Sequence, residues 1–254
     1  MTLLSLQGVT RRFGGLTAVD AIDLDVSAGG VAAVIGPNGA GKTTLFNVIS
    51  GFQTPNAGRI VFDSQDITGR TPEAIAAAGL VRTFQLVQLF GNLSVLENIQ
   101  VGCHLHTAGG LWSALLQTSR TRQTEREVED RARELLDFVG LDAAAGADAG
   151  ALPYGQQRLL EIARALAARP RLLLLDEPAA GLSGDESKRL AAAIRDVAAR
   201  GTTVLLIEHD MQLVMNTADT VTVLDFGRKI AEGPPATVRE NPVVVAAYLG
   251  VAHA

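Results

Sequence analysis

The densest chemistry in the sequence lies in Gly36-Pro37-Asn38-Gly39-Ala40-Gly41-Lys42-Thr43-Thr44. It has the spacing of a phosphate-binding loop, two glycines five residues apart followed by lysine and a hydroxyl residue. Glycines let the backbone wrap closely around phosphate oxygens, so that its N–H groups and the following helix N-terminus hold negative charge. Lys42 is expected to reach the terminal phosphates of a nucleotide, and the Thr43 hydroxyl to ligate Mg²⁺, a cation that takes oxygen ligands. Downstream, four leucines, Leu172–Leu175, run into Asp176-Glu177-Pro178. Two carboxylates thus fall at the C-terminal end of an apolar strand, where open parallel sheets bind ligands. Asp176 is the expected Mg²⁺ partner, and Glu177 the base or water-orienting group beside the terminal phosphate. A third segment, Ile207-Glu208-His209-Asp210, again follows an apolar strand and offers an imidazole for the same phosphate. His104 and His106, two apart and without matching acidic or cysteine ligands, make no metal site.

The elements that must position these groups read as an α/β rhythm. Strands are expected at Leu3–Val9, Ile22–Val26, Val31–Ile35 and Arg59–Phe62, the last after the turn Pro55-Asn56-Ala57-Gly58. The apolar stretch Thr44–Ser50 should be the helix that the phosphate loop opens. Between Leu86 and Ala168 the pattern becomes helical. Val128, Ala132, Leu135 and Val139 keep a helical period that Gly140 stops. On that helix Glu127–Arg131 and Glu129–Arg133 are spaced as i,i+4 ion pairs on a solvated face. Ala143–Ala151 lacks an apolar period and is expected to be a connector. A helix at about Gln156–Ala168 ends at Pro170, and Leu172–Leu175, a helix at about Asp185–Ala199, Thr203–Ile207 and Val221–Asp225 complete the set. Strands alternating with helices specify a largely parallel sheet covered on both faces.

Composition bounds the function. With 254 residues, 47% hydrophobic and 19% charged, the chain can bury a substantial core. Its net charge of −5 argues against a nucleic-acid partner. A single cysteine, Cys103, can form no internal disulfide. The first residues lack a secretory signal, and no long uncharged apolar run could cross a bilayer, so a membrane role requires a partner.

Together these motifs resemble the ATPase family of ABC transporters, over nearly the whole sequence. The resemblance implies a P-loop NTPase ABC cassette of α/β class: a RecA-like core with an antiparallel β subdomain, spanning 1–85 and 170–254, and a helical signature subdomain at about 86–169. It implies ATP and Mg²⁺ as ligands, with Gly36 to Thr44 around the phosphates and Phe13 stacked on adenine. Arg82-Thr83-Phe84-Gln85 looks like the Q-loop, where Gln85 would touch Mg²⁺ or the lytic water. Leu152-Pro153-Tyr154-Gly155-Gln156 looks like the signature that acts on nucleotide held by a second subunit, and Ala180-Gly181-Leu182-Ser183 occupies the D-loop position. Several segments are similar to the LivG-type branch of branched-chain amino-acid importers: Phe13-Gly14-Gly15-Leu16, Val81–Gln85, Gln156-Gln157-Arg158, Ile207–Met211 and Ala247-Tyr248-Leu249-Gly250. Related urea and other small-molecule systems look alike, and a soluble non-transport regulatory ATPase is the less favoured alternative, since neither a second cassette nor a coiled-coil insertion is present. The resemblance further implies two transmembrane permeases, a second ATPase subunit, which the departures at Pro153 and Tyr154 point to as a distinct chain, an extracytoplasmic binding protein, and a place on the cytoplasmic face of the plasma membrane. Two departures stand out. Pro153 and Tyr154 replace the widespread Ser-Gly of the signature, removing a hydroxyl and a backbone N–H, and Ser183 replaces the usual D-loop aspartate.

Overall fold

A computed structural model describes residues 1–103 and 119–249. His104, His106 and Gly250 lie outside the described residues. Two compact units are distinguished, Met1–Gln85 with Arg171–Ala254, and Leu86–Pro170.

The first unit contains two sheets. The antiparallel one has the order β2-β1-β4-β5, built from β1 (Thr2–Phe13), β2 (Leu16–Ser27), β4 (Ala57–Phe62) and β5 (Gln65–Asp66). β1 and β2 run well beyond the expected Leu3–Val9 and Ile22–Val26. The sequence alternation breaks because the β1–β2 register shifts repeatedly, between Leu6 and Val9 and again up to Arg12. Bulges of this kind change which face successive side chains occupy without ending the ladder.

The second sheet has the order β10-β9-β3-β8-β7-β6. It comprises β3 (Val31–Ile35), β6 (Leu80–Arg82), β7 (Leu172–Asp176), β8 (Thr203–Ile207), β9 (Thr220–Asp225) and β10 (Arg228–Gly233). All its neighbours are parallel except the β9–β10 hairpin at one edge. β7 and β8 are wholly buried, which is why their sequences are unbroken apolar runs. Helix α1 (Lys42–Ile49) joins the sheets: its Leu45, Phe46 and Ile49 share one buried cluster with Leu4, Leu6 and Phe62 of the antiparallel sheet and Leu174, Leu205 and Leu224 of the parallel one. At roughly 1.5–3 kcal/mol for each large apolar side chain fully buried, this cluster holds the phosphate loop against two sheets. Helix α2 (Pro72–Ala77) is capped by Thr71, whose side chain accepts the Ala74 N–H.

The second unit is helical: α3 (Val95–Gly102), α4 (Ser119–Val139) and α5 (Tyr154–Ala167) pack pairwise over buried Ile99, Ala132, Leu136, Ile162 and Ala163. Ser94 and Glu97 form a reciprocal capping box at the start of α3, each satisfying a backbone donor that the helix end leaves open. The small-residue stretch Ala143–Ala151 is a connector containing two 3-10 turns, Asp142–Ala144 and Ala149–Ala151. Of the two surface ion pairs expected on α4, Glu129–Arg133 forms at 2.8 Å, whereas Arg131 pairs not with Glu127 four residues before it but with Glu134 three residues after it, at 3.2 Å. Both spacings lie on the same helix face, so an exposed arginine can choose either.

Back in the first unit, α6 (Gly184–Ala199), α7 (Met211–Thr217), α8 (Pro235–Arg239) and α9 (Pro242–Leu249) complete the chain. Among the described residues no helix is long and apolar enough to cross a membrane.

Candidate nucleotide site

The C-terminal edge of the parallel sheet gathers the motif residues of the first unit. β3 ends at Ile35, the loop Gly36–Gly41 follows, and Lys42, Thr43 and Thr44 form the first turn of α1. Gly41, at the N-cap, has φ 97°, and a Cβ there would stand 2.2 Å from the Ala18 carbonyl oxygen. Only glycine fits that approach and that left-handed backbone. No side chain caps α1 and no acidic residue stands in its first turn, leaving its N–H groups to an anion. A Cβ on Gly39 would meet nothing within 4 Å, so the loop is open on that side. Lys42 is only 7% exposed. Its ammonium donates to the Gly36 and Pro37 carbonyls at 2.7 and 3.0 Å. Burial pushes its pKa below the usual lysine value, while Glu177 and then Asp176 pull it back up. The loop is thus electropositive and its neighbours electronegative, a donor set that suits a phosphate chain carrying a hard divalent cation.

Asp176 is the last residue of β7, and Glu177 follows in a left-handed conformation, φ 46°. That backbone is unfavourable for a residue with a Cβ. It is pinned by the Glu177 N–H donating to the Ile207 carbonyl at 3.0 Å. Gln85 donates from Nε2 to Glu177 Oε2 at 2.8 Å, and His209 Nδ1 lies 3.8 Å from the same oxygen. The structure therefore brings Gln85, Glu177 and His209 together and sets Asp176 and Lys42 beside them. Phe13 ends β1, 40% exposed, with the Arg11 guanidinium 4.7 Å above its ring. One ring face is therefore already engaged by a cation.

Leu152–Gln156 lies in the other unit. Pro153 is the N-cap of α5 and provides no side-chain cap. Tyr154 stands 41% exposed, with the Arg158 guanidinium 5.4 Å from its ring. Gly155 is buried and Gln156 exposed. Ser183 is the N-cap of α6 in a second capping box, its N–H donating to Glu186 at 2.9 Å.

Three neighbours of the site were not singled out by type and spacing. Arg82 donates to Asp176 at 2.7 Å and to Asn47 and Ser50 at 2.8 and 2.9 Å. Glu208, fully buried, accepts backbone N–H groups from two loops. Tyr248 of α9 meets the Gly36 backbone; burial pushes its phenol up against that opposing hydrogen bond. For the first two the signal was present: a charged side chain directly continuing an apolar strand is buried by the strand's path.

The ABC transporter family profile matches residues 19–180, and that of branched-chain amino acid ATP-binding cassette transporters matches 228–254. The chain is 46% identical over 251 residues to the high-affinity branched-chain amino acid transport ATP-binding protein BraF of Pseudomonas aeruginosa, covering 98% of each chain. It is 45% identical to LivG of Escherichia coli K12 at the same coverage. The chain belongs to the ABC transporter ATP-binding family. Its fold agrees with that of solved ABC cassettes. The ADP conformation of one such cassette superposes with a TM-score of 0.86 at 35% identity, over 98% of this chain and 99% of the other. A nucleotide-free cassette gives 0.85 at 34% identity, with the same coverage. As a member of that family the chain is an ATPase.

Proposed function

We propose that this chain binds and hydrolyses ATP to drive an ABC importer of branched-chain amino acids. The observation that carries the reading is the convergence of Gln85 and His209 on one Glu177 oxygen, at 2.8 and 3.8 Å, beside the buried Lys42. The match over nearly the full length to branched-chain amino acid transport ATP-binding proteins adds the substrate class.

In this reading the N–H groups of Gly36–Thr44 and the Lys42 ammonium hold the phosphates, and Phe13 offers its ring to the base. Thr43, Asp176 and Gln85 would hold Mg²⁺, which when bound would screen the phosphate charge. Glu177 accepts a proton from the attacking water, Gln85 orients that water, and His209 donates towards the terminal phosphate. Electrostatic positioning is the larger part of the effect, since Lys42 lies away from bulk water where its charge is weakly screened.

The helical unit presents the signature, Leu152–Gln156, to nucleotide on a second ATPase subunit. Because Pro153 offers neither hydroxyl nor N–H, that partner is a distinct chain whose own signature completes the site described here. Two permeases hold the pair at the cytoplasmic face of the membrane, and a binding protein outside delivers the amino acid.

The deciding experiment is uptake by the reconstituted complex with leucine, isoleucine, valine and urea in competition, run beside a Glu177→Gln complex. ATP-dependent uptake of the three amino acids, absent with Glu177→Gln although ATP still binds, is the expected result. Preference for urea would replace the substrate assignment, and brisk hydrolysis by Glu177→Gln would remove the role given to Glu177.

A further inference from the structure

Glu208 is the best-buried carboxylate near the site, with 0% exposure, and the His209 Nδ1 lies 3.9 Å from its Oε2. It follows Ile207, the last residue of β8, as Glu177 follows the end of the neighbouring β7. A carboxylate taken wholly out of water must be compensated by donors. The donors here are backbone N–H groups from two loops. Oε1 accepts from Ala179 at 2.8 Å, and Oε2 accepts from His209 at 3.0 Å and Asp210 at 3.1 Å. One carboxylate thereby ties the turn that carries Glu177 to the turn that carries His209.

The tie falls where the backbone needs one. Glu177 holds φ 46°, a conformation that persists only when the surroundings over-determine it. Its turn is held at one side by the Glu177 N–H on the Ile207 carbonyl at 3.0 Å, and at the other by Ala179 on Glu208. His209 itself is 58% exposed, so side-chain packing does little to place it; its backbone bond to Glu208 does.

We infer that Glu208 is a positioning residue for ATP hydrolysis, fixing the separation between the Glu177 carboxylate and the His209 imidazole. It acts through those two residues. The inference rests on the roles given to Glu177 and His209 above.

Two variants of the full chain, assembled with the permeases and the partner ATPase, test it. Glu208→Gln keeps the volume and one acceptor oxygen but sets an NH₂ against backbone N–H groups. Glu208→Thr can still accept from the Asp210 N–H two residues on, but is too short to reach Ala179, so it cuts the link between loops while sparing the local turn. Both should lower kcat about 10- to 100-fold, the scale of a misplaced catalytic pair, with affinity for a fluorescent ATP analogue within about twofold of the parent, because the phosphate loop is untouched. Combined with His209→Ala, Glu208→Thr should lower kcat by clearly less than the product of the two single losses, as residues acting through one another are not additive. A purely structural role would give independent, multiplying losses and a fall in nucleotide affinity. Parental kcat in folded Glu208→Thr overturns the inference, as do multiplying losses. Parental kcat in His209→Ala would instead overturn the role of His209, and this inference with it.

Discussion

Arg82 and Asp176 form a buried ion pair, Nη2 to Oδ2 at 2.7 Å, with the two side chains 6% and 4% exposed. The same guanidinium bonds Asn47 and Ser50 at the end of α1 and lies within 5.4–5.8 Å of the Phe46, Phe52 and Phe84 ring centroids. One cation therefore links the helix behind the phosphate loop, the strand bearing Asp176 and the strand leading to Gln85. Arg82→Met should destabilise the protein by about 3–5 kcal/mol, since it strands a buried charge. Denaturant unfolding of the double variant Arg82→Met/Asp176→Asn should recover part of that loss.

Gly41→Ala should abolish nucleotide binding with a smaller effect on stability. The added Cβ meets the Ala18 carbonyl at 2.2 Å in a backbone with φ 97°, so the loop must leave its present path. An ATP-analogue titration should show at least about a hundredfold loss in affinity, the scale of a few kcal/mol of lost charge-assisted hydrogen bonds. Gly39→Ala, whose Cβ meets no atom within 4 Å, should lose much less, through backbone strain alone.

The depressed pKa of Lys42, caused first by burial, gives two pH dependences of defined sign. Between the folded value and the higher unfolded one the unfolded chain binds the extra proton, so the Lys42 contribution to stability is lost as pH falls through the folded value and returns as pH rises. Phosphate binding needs the ammonium and runs the other way, weakening on the alkaline side before an ordinary lysine would titrate. Analogue affinity from neutral pH upward should fall in the parent and stay flatter in any Lys42→Arg variant that still binds, because guanidinium does not deprotonate.

Restoring the signature by Pro153→Ser with Tyr154→Gly tests the unequal pair. The serine would also supply the side-chain cap that α5 lacks, worth about 1 kcal/mol to the helix start. In the assembled transporter the double variant should raise turnover at the partner's nucleotide. Unchanged ATP turnover and unchanged ATP-driven association would remove the asymmetry.

The parallel sheet was legible because buried strands are written as apolar runs: Val31–Ile35 and Thr203–Ile207 coincide with their expected limits. The antiparallel sheet was legible only in part, since bulges at Gly8 and beyond scramble the alternation on which strand reading depends. β6 and β10 escaped notice, one having three residues and the other a polar edge face. The starts of α3 and α6 could have been read from Ser94–Glu97 and Ser183–Glu186, whose S-x-x-E spacing is that of a capping box. In the site, the phosphate loop follows from local spacing alone. The bonds from Arg82 to Asp176 and from Glu208 to Ala179 join residues 94 and 29 positions apart, and no local pattern encodes which distant carboxylate or amide a buried charge will meet.

The left-handed backbone at Glu177 bears on how this protein can be altered. A glycine at that position would relax the turn by roughly 1–2 kcal/mol while deleting the carboxylate. Selection for heat resistance alone would therefore favour losing the proposed base, and a library screened for thermal survival should be screened for turnover in the same round.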